Sequence, residues 1–309
     1  MKKLIIASFI LVALFSRCGS GSESEIGTQK EFTTESAPEE DTLVIPAVGI
    51  TAEIRLELEK YFSTDLCVKI ENYVSDFDTL SSDAAFQNNY REGRNISDEM
   101  TEQLNKPVTS YLKKLAKGKE YWYPVDEIFG DLEIFSDQLG PLVISCVAEC
   151  TEIDMTYDLL KMQRKAQETL GNADDDFMKL LVSIDGEFGY AGCVGFKSWF
   201  NQTWDLGGSS LLGDGQLLSI IKATIQYKKN HKLFNEELKL LKSDYLDALS
   251  WGSSYQFTPE KILVEFEAIL ALDYFTNEEL VEINELYERI KNRDTSFQFD
   301  CENQDCSYG

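Results

Sequence analysis

The sequence predicts a mainly α-helical protein: an irregular helical bundle or helical-hairpin array with a Gly- and aromatic-rich loop segment and a possible minor β component. Apolar residues recur at three- and four-residue spacing through most of the chain after residue 42. Several of these stretches begin with helix-start signals. Thr276 and Glu279 match a capping box, and Thr258-Pro259-Glu260 places a proline in a first turn. A chain of 309 residues with 43% hydrophobic residues is long enough for one large or two small domains.

Two stretches in the first half of the chain fit more than one type of secondary structure. Residues 50–62 fit a strand by alternation and a helix by their i, i+4 apolar spacing, and we favour the helix. Ser97 is predicted to open a helix that Pro107 interrupts. The apolar run Leu142–Ala148 fits a buried helix or a buried strand, because periodicity alone does not separate the two.

Capping residues mark the starts of the other predicted helices. The residues predicted to stand at or near these starts are Thr64, Asp174, Asp214, Asn235, Thr258 and Thr276. Phe234–Leu238 and Phe275–Leu280 also look alike at about forty-residue spacing, which fits a repeated helical hairpin or two helix starts with similar acidic caps.

The chain divides into four predicted segments. They are an export signal over 1–18, a disordered acidic tether over 19–42, a single mainly helical domain over 43–297, and a cysteine-containing C-terminal tail over 298–309. The tether is polar and acidic and lacks the apolar content needed to offset its ordering entropy.

The first segment has the features of a targeting sequence. Lys2 and Lys3 precede an apolar stretch from Leu4 to Phe15, which is too short to span a bilayer. The following Phe15-Ser16-Arg17-Cys18 resembles a bacterial lipoprotein signal, although Arg17 stands where a small residue is usual. The resemblance implies that Cys18 is acylated and anchors the protein to a membrane. Ordinary cleavage after a small residue such as Ser20 would instead give a secreted protein.

An exported chain would meet an oxidising compartment, so its remaining cysteines are disulfide candidates. These are Cys67, Cys146, Cys150, Cys193, Cys301 and Cys306. Their pairing stays open, since six cysteines allow 15 connectivities. No pair shows the two-residue spacing of a zinc ribbon or finger, and we predict neither a metal site nor a cofactor.

The charge of the chain limits its partners. A formal net charge of −25 disfavours nucleic acids and anionic membrane surfaces and favours partners that present a basic face. The single histidine, His231, lies among lysines near a predicted helix end, where a structural role is favoured over catalysis. Asn172 and the three aspartates Asp174–Asp176 do not match the EF-hand template, because Phe177 occupies the position that requires glycine.

The segment 186–215 is the most unusual part of the sequence, because it combines eight of the 19 glycines with six aromatic residues. Tyr190, Trp199 and Trp204 are candidate ligand-binding residues, since such rings stack on sugars or aromatic ligands. The favoured alternative is a Gly-rich connector that buries its aromatic side chains and is pinned by Cys193.

The leading functional hypothesis is an exported, lipid-anchored cell-envelope protein of binding, interaction or protective type, without a catalytic residue of its own. It rests on the signal, the tether, the cysteines and the lack of a catalytic motif. One alternative is a carboxylate-based glycan hydrolase with two acids about 5–10 Å apart beside Trp199 or Trp204. Another is an inhibitor or immunity-type protein that binds a basic partner.

Overall fold

The prediction of a mainly helical fold is confirmed. The computed structural model describes residues 49–115, 132, 138–147, 152–185, 197–202, 208–250 and 252–299. Among these residues there are nine helices and six short strands. The predicted export signal, the tether and residues 300–309 of the predicted tail lie outside the described residues.

The helices follow one another with a β-hairpin after the third and short strands between the later ones. They are α1 (Ala52–Leu58), α2 (Thr64–Asp78), α3 (Asp83–Leu115), α4 (Leu159–Ala166), α5 (Ala173–Asp185), α6 (Gln216–Asn230), α7 (Asn235–Ser250), α8 (Pro259–Leu270) and α9 (Asn277–Lys291). The strands are β1 (Leu142–Val147), β2 (Glu152–Tyr157), β3 (Phe200–Gln202), β4 (Gly208–Ser210), β5 (Ser254–Tyr255) and β6 (Gln298–Phe299).

The strands form two separate sheets. β1 and β2 pair antiparallel, with Leu142 opposite Tyr157. The second sheet has the order β3-β4-β5-β6, in which β3 and β4 are antiparallel while β4 with β5 and β5 with β6 are parallel. The second sheet brings β6, at the start of the predicted tail, beside β5 through hydrogen-bonded pairing of Tyr255 with Phe299.

The described part of the chain has two apolar cores, and α3 contributes to both. Met100 and Leu104, in its later turns, pack with α1, α2 and the β1-β2 hairpin. Phe86, near its start, packs with helices α4 to α9. Tyr157 of β2 packs against both cores, so this helix and this hairpin join the two halves.

An ion pair also links α3 to the second half. The guanidinium of Arg91 donates two hydrogen bonds to the Glu237 carboxylate of α7, at 2.5 and 3.1 Å. Burial raises the pKa of Glu237, but the hydrogen bond and charge of Arg91, together with a backbone hydrogen bond, outweigh burial, so the pKa is lowered overall. Replacement of Arg91 by a neutral residue would leave the buried Glu237 carboxylate without a compensating positive charge.

The ambiguous stretches of the first half now have a definite structure. Residues 50–62 contain helix α1, as favoured, and Thr51 caps it by accepting a hydrogen bond from Ile54 N. The run Leu142–Ala148 contains strand β1, because its neighbour in the chain supplies β2 as a partner. Thr64 is the first residue of α2, whose N-cap is Ser63.

The prediction that Ser97 opens a helix was wrong. Helix α3 begins fourteen residues earlier, at Asp83, and its backbone continues through Pro107 to Leu115. Ser97 is buried in its middle and donates its hydroxyl hydrogen to the carbonyl oxygen of Met155 in β2. The packing of α3 against α2 and β2 offsets the hydrogen bond that the proline removes.

Among the helix starts, the capping box of Thr276 with Glu279 and the N1 position of Pro259 are confirmed. Asp174 lies inside the first turn of α5 and not at its cap position. The Asp83 carboxylate, from α3, accepts the hydrogen bond from Ala173 N at 3.2 Å. The Asp83 side chain, ninety residues away in sequence, thus satisfies one of the backbone N–H groups that have no partner within α5.

Candidate binding site

A cavity lies where the second sheet meets α7 and α9. Its volume is about 780 Å³. Its walls come from four parts of the chain, and they include Lys197, Trp199, Phe200, Ser210, Asp244, Asp247 and Arg289. A volume of this size is in the range of small-molecule sites.

The apolar wall of the cavity is built from the start of β3. Trp199 is 5% exposed, and its ring makes an edge contact with Tyr245 of α7 at a centroid distance of 5.6 Å. Its backbone carbonyl accepts a hydrogen bond from Leu211 N. Phe200 is 39% exposed, and the absence of a side chain at Gly208 in β4 leaves room for its ring. The cavity therefore has one anchored aromatic residue and one accessible aromatic residue.

A three-residue ion cluster forms the inner wall. The ammonium of Lys197 contacts Asp185 Oδ1 at 2.9 Å and Asp244 Oδ2 at 3.2 Å. Burial raises the pKa of Asp185, and the adjacent Lys197 reduces this effect. Burial would lower the pKa of Lys197, but the attraction of the two carboxylates outweighs it and the pKa is raised. Lys197 is therefore held as a cation by groups of the protein.

A second cavity of about 330 Å³ adjoins this cluster, because Lys197 and Asp244 line both cavities. The other residues of the smaller cavity include Tyr90, Arg94 and Glu237. The ion cluster thus lies at the boundary between an aromatic cavity and a smaller, more polar one.

The other polar groups of the large cavity are mostly engaged. Arg289 donates to Asp294 Oδ2 at 2.9 Å and to Ser296 Oγ at 3.0 Å. The Ser210 hydroxyl accepts a hydrogen bond from Leu212 N, and Ser250 donates its hydroxyl hydrogen to a carbonyl of its own helix. These groups are satisfied without a ligand.

Asp247 differs from them. It is exposed at the rim of the cavity, one turn of α7 away from Asp244. No described residue forms a hydrogen bond or an ion pair with its carboxylate at the distances that define these contacts. Asp247 therefore presents an uncompensated negative charge beside the aromatic wall.

The structure places one of the three predicted ligand-binding residues at this site. Trp199 lines the cavity, while Tyr190 and Trp204 lie outside the described residues. Cys193, the predicted pin of the segment, also lies outside them. The sequence analysis did not identify the charged residues of the cavity wall, which are Lys197, Asp244, Asp247 and Arg289. The spacing of Asp244 and Asp247 on one helix was visible, but many acidic pairs in this chain share it.

Cys67 is the predicted disulfide residue that the structure describes fully, and it carries a free thiol. It lies on the inward face of α2 with no exposed surface, in the core formed with α1 and α3. A disulfide at Cys67 is therefore not present in this structure. Cys146 lies in β1 opposite Ile153, with its side chain outside the description. Cys18, Cys150, Cys193, Cys301 and Cys306 lie outside the described residues, so their pairing stays a prediction.

His231 is the C-cap of helix α6, and its side chain contacts two other residues of the fold. Its Nε2 atom lies 3.0 Å from Asp176 Oδ2, and its ring packs on Tyr227 at a centroid distance of 4.7 Å. Within the described ranges, no group of three or more His, Cys, Asp or Glu side chains is arranged to hold a metal ion. None of the helices formed by these residues combines the length and the hydropathy needed to cross a membrane.

No protein-family model, curated protein or solved structure matches this chain.

Proposed function

We propose that this protein is an exported, lipid-anchored binding protein of the cell envelope, which takes up a small organic ligand in the cavity beside Trp199. The observation that carries the binding role is the cavity itself. It combines an aromatic wall at Trp199 and Phe200 with a fixed ion cluster at Lys197 and an unpaired carboxylate at Asp247. Apolar walls with a few placed polar groups are typical of ligand sites.

The arrangement of acids favours binding over glycoside hydrolysis. A hydrolase needs one carboxyl group that stays protonated and a second that is ionised across the substrate. Asp244 is paired with Lys197 at 3.2 Å, so this carboxylate is already engaged by a group of the protein. Trp199 is buried against Tyr245, so it does not offer a free face for sugar stacking. The acids nearest to Trp199 thus act as structural and electrostatic groups.

The export and anchoring parts of the proposal rest on residues 1–42. A charged start, a short apolar stretch and Cys18 support acylation, and the acidic segment that follows supports a role as a spacer above a membrane. Because the chain has a formal net charge of −25, a macromolecular partner would be expected to present a basic face.

Lipid attachment is tested by expressing the full chain in a bacterium fed with an alkyne-labelled palmitate. We expect label on the wild type and none on Cys18→Ala, with intact mass showing loss of residues 1–17 from the wild type alone. Cys67→Ala is the matched control and should keep the label. An unlabelled wild-type chain cleaved after Ser20 would contradict anchoring and leave export in place.

Ligand uptake is tested by saturation-transfer NMR of 2-phenylethanol with the purified chain. The Ala248→Trp variant places a large side chain into the cavity, since Ala248 is part of its wall. The matched control is Ala223→Trp on the exposed face of α6. We expect transfer to the probe in the wild type and the control and its loss in Ala248→Trp, with circular dichroism unchanged. Equal transfer in all three proteins would contradict binding in this cavity.

A further inference from the structure

We infer that the ligand of this cavity is an organic cation, with an ammonium or amidinium group attached to a flat apolar body. The inference rests on the proposed function and adds the class of ligand. It follows from which charges of the cavity are already neutralised by the protein and which are not.

The two cations that described residues contribute to the cavity wall are both paired with carboxylates. Lys197 contacts two carboxylates, at 2.9 and 3.2 Å, so this cluster carries one negative charge in excess. Arg289 contacts Asp294 at 2.9 Å and lies 4.6 Å from the centre of the Phe297 ring. An anionic ligand would have to displace one of these pairs, whereas a cationic ligand would not.

The free carboxylate adds to this excess. Asp247 lines the same cavity from α7, and no described residue pairs with it within ion-pair distance. The formal charges of the described ionisable groups in and beside the wall sum to −2, and these groups are Lys197, Arg289, Asp185, Asp244, Asp247 and Asp294. The potential in the cavity therefore favours a positive ligand group, and it acts more strongly in a partly enclosed site than on open surface.

The apolar wall of the cavity indicates what the uncharged part of the ligand is. Phe200 is 39% exposed and lies beside the buried Trp199, so an aromatic or similarly flat body can cover the Phe200 ring. A cation above this ring would also gain a cation–π attraction. An amine joined by a short linker to a flat apolar body could therefore contact both the Asp247 carboxylate and the Phe200 ring.

Three probes of one shape and different charge test this inference. They are 2-phenylethylammonium, 2-phenylethanol and phenylacetate, each titrated into the purified full chain at pH 7.5 and low salt by isothermal calorimetry or by NMR. We expect the ammonium to bind about threefold more tightly than the alcohol, which is the gain of one ion pair with an exposed carboxylate. Phenylacetate should bind more weakly than the alcohol.

The variant that carries the test is Asp247→Asn, and Glu282→Gln on the exposed face of α9 is its matched control. Asp247→Asn should reduce the preference for the ammonium over the alcohol and leave the affinity for the alcohol unchanged. The control should retain the preference, and 0.5 M salt should reduce it in the wild type. The probe series needs no variant, so the inference remains testable if Asp247→Asn folds poorly.

The outcomes separate the two proposals. Equal affinity for ammonium and alcohol, both lost in Ala248→Trp, would overturn the cationic class and leave binding in the cavity intact. Tighter binding of phenylacetate than of the ammonium would also overturn the class, whereas an undiminished preference for the ammonium in Asp247→Asn would overturn the placement of its charged group beside Asp247. Failure of all three probes to bind would overturn the proposed function together with this inference.

Discussion

The Glu265 carboxylate of α8 accepts a hydrogen bond from Gly213 N at 2.5 Å, at the chain segment that leads into α6. The same Oε2 atom accepts from Gly215 N at 3.1 Å, and Oε1 accepts from Leu218 N at 3.0 Å. Gly215 is the N-cap of α6, has a positive φ of 87° and offers no side chain as a cap. Glu265 therefore caps α6 from a distance of about fifty residues, where the helix dipole favours its charge.

Replacement of this cap should destabilise the fold. We expect Glu265→Gln to lower the free energy of unfolding by about 2 kcal/mol, because hydrogen bonds to a charged group are lost and an amide N–H faces other donors. Urea denaturation followed by circular dichroism measures the change. Glu260→Gln in the exposed first turn of the same helix is the control and should cost under about 0.5 kcal/mol. A loss in Glu265→Gln no larger than in the control would contradict the capping role.

The pair Asp83 and Asp174 should make stability depend on pH. Burial raises the pKa of Asp174 to about 6 from an ordinary value of 3.8; the hydrogen bond from Thr169 opposes this shift and the adjacent Asp83 carboxylate adds to it. The folded state thus holds a proton that the unfolded chain releases near pH 4. Stability should fall by about 2 kcal/mol as pH rises from about 4 to 6 and then level off.

The Asp174→Asn variant tests this dependence. An amide carries no charge at any pH and can donate to Asp83, so the fall in stability between pH 4 and 7 should become smaller by about 2 kcal/mol. Denaturant midpoints across this range measure it, with Asp98→Asn on the exposed face of α3 as the control. A slope in Asp174→Asn equal to that of the wild type would show that another group controls it.

The thiol of Cys67 should be unreactive in the folded protein. Burial raises the pKa of this thiol, and the side chain has no exposed surface, so little thiolate is available to a reagent. We expect iodoacetamide to label Cys67 in 8 M urea and to leave it unlabelled in the native chain after one hour at pH 8, as judged by peptide mass spectrometry. A Cys67 peptide linked by a disulfide in the non-reduced native sample would contradict the buried free thiol.

Close packing of α2 on α3 depends on Gly93. A Cβ at this position would lie 2.5 Å from Tyr73 Oη and 2.6 Å from Cζ of the same buried ring. Alanine gains about 1 kcal/mol of helix propensity, yet we expect Gly93→Ala to lower stability by about 1–3 kcal/mol, because the ring must move within a packed core. Gly49→Ala, where a Cβ meets nothing within 4 Å, should change stability little. Thermal unfolding of the two variants tests the difference.

The Tyr73 hydroxyl itself is buried, and none of the described residues forms a hydrogen bond with it. Tyr73→Phe removes this unsatisfied group and keeps the ring, so we expect a gain of about 1 kcal/mol in the free energy of unfolding. The same substitution at Tyr245, whose hydroxyl lies 2.8 Å from Thr224 Oγ1, should lower stability. A loss in both variants would show that the Tyr73 hydroxyl has a stabilising partner.

How far the sequence predicts structure depends on how local the cause is. The capping box at Thr276 and the proline at position 259 act within one helical turn, and both are present as expected. Ser97 carried the same kind of signal, but its hydroxyl is used by a carbonyl of β2 in the middle of α3. A local pattern does not reveal whether a distant strand will compete for the same hydroxyl.

Of the candidate binding site, the sequence indicated only the aromatic residues. Trp199 was singled out because glycines and rings are concentrated around it, and it does line the cavity. The partners of Lys197 lie on α5 and α7, twelve and forty-seven residues away, and no spacing rule connects them. The absence of a partner at Asp247 is likewise a property of the assembled surface.

By itself, the sequence determined the helical class and several helix ends, because apolar periodicity and caps act over a few residues. It also determined the excess of negative charge, which is a sum over residues and does not depend on the fold. Only the tertiary structure decided that Leu142–Val147 is a strand, that Glu265 caps α6 and that the cations of the cavity are already paired. These outcomes depend on contacts between segments remote in the chain, whose free energies are set by which groups meet in the folded protein.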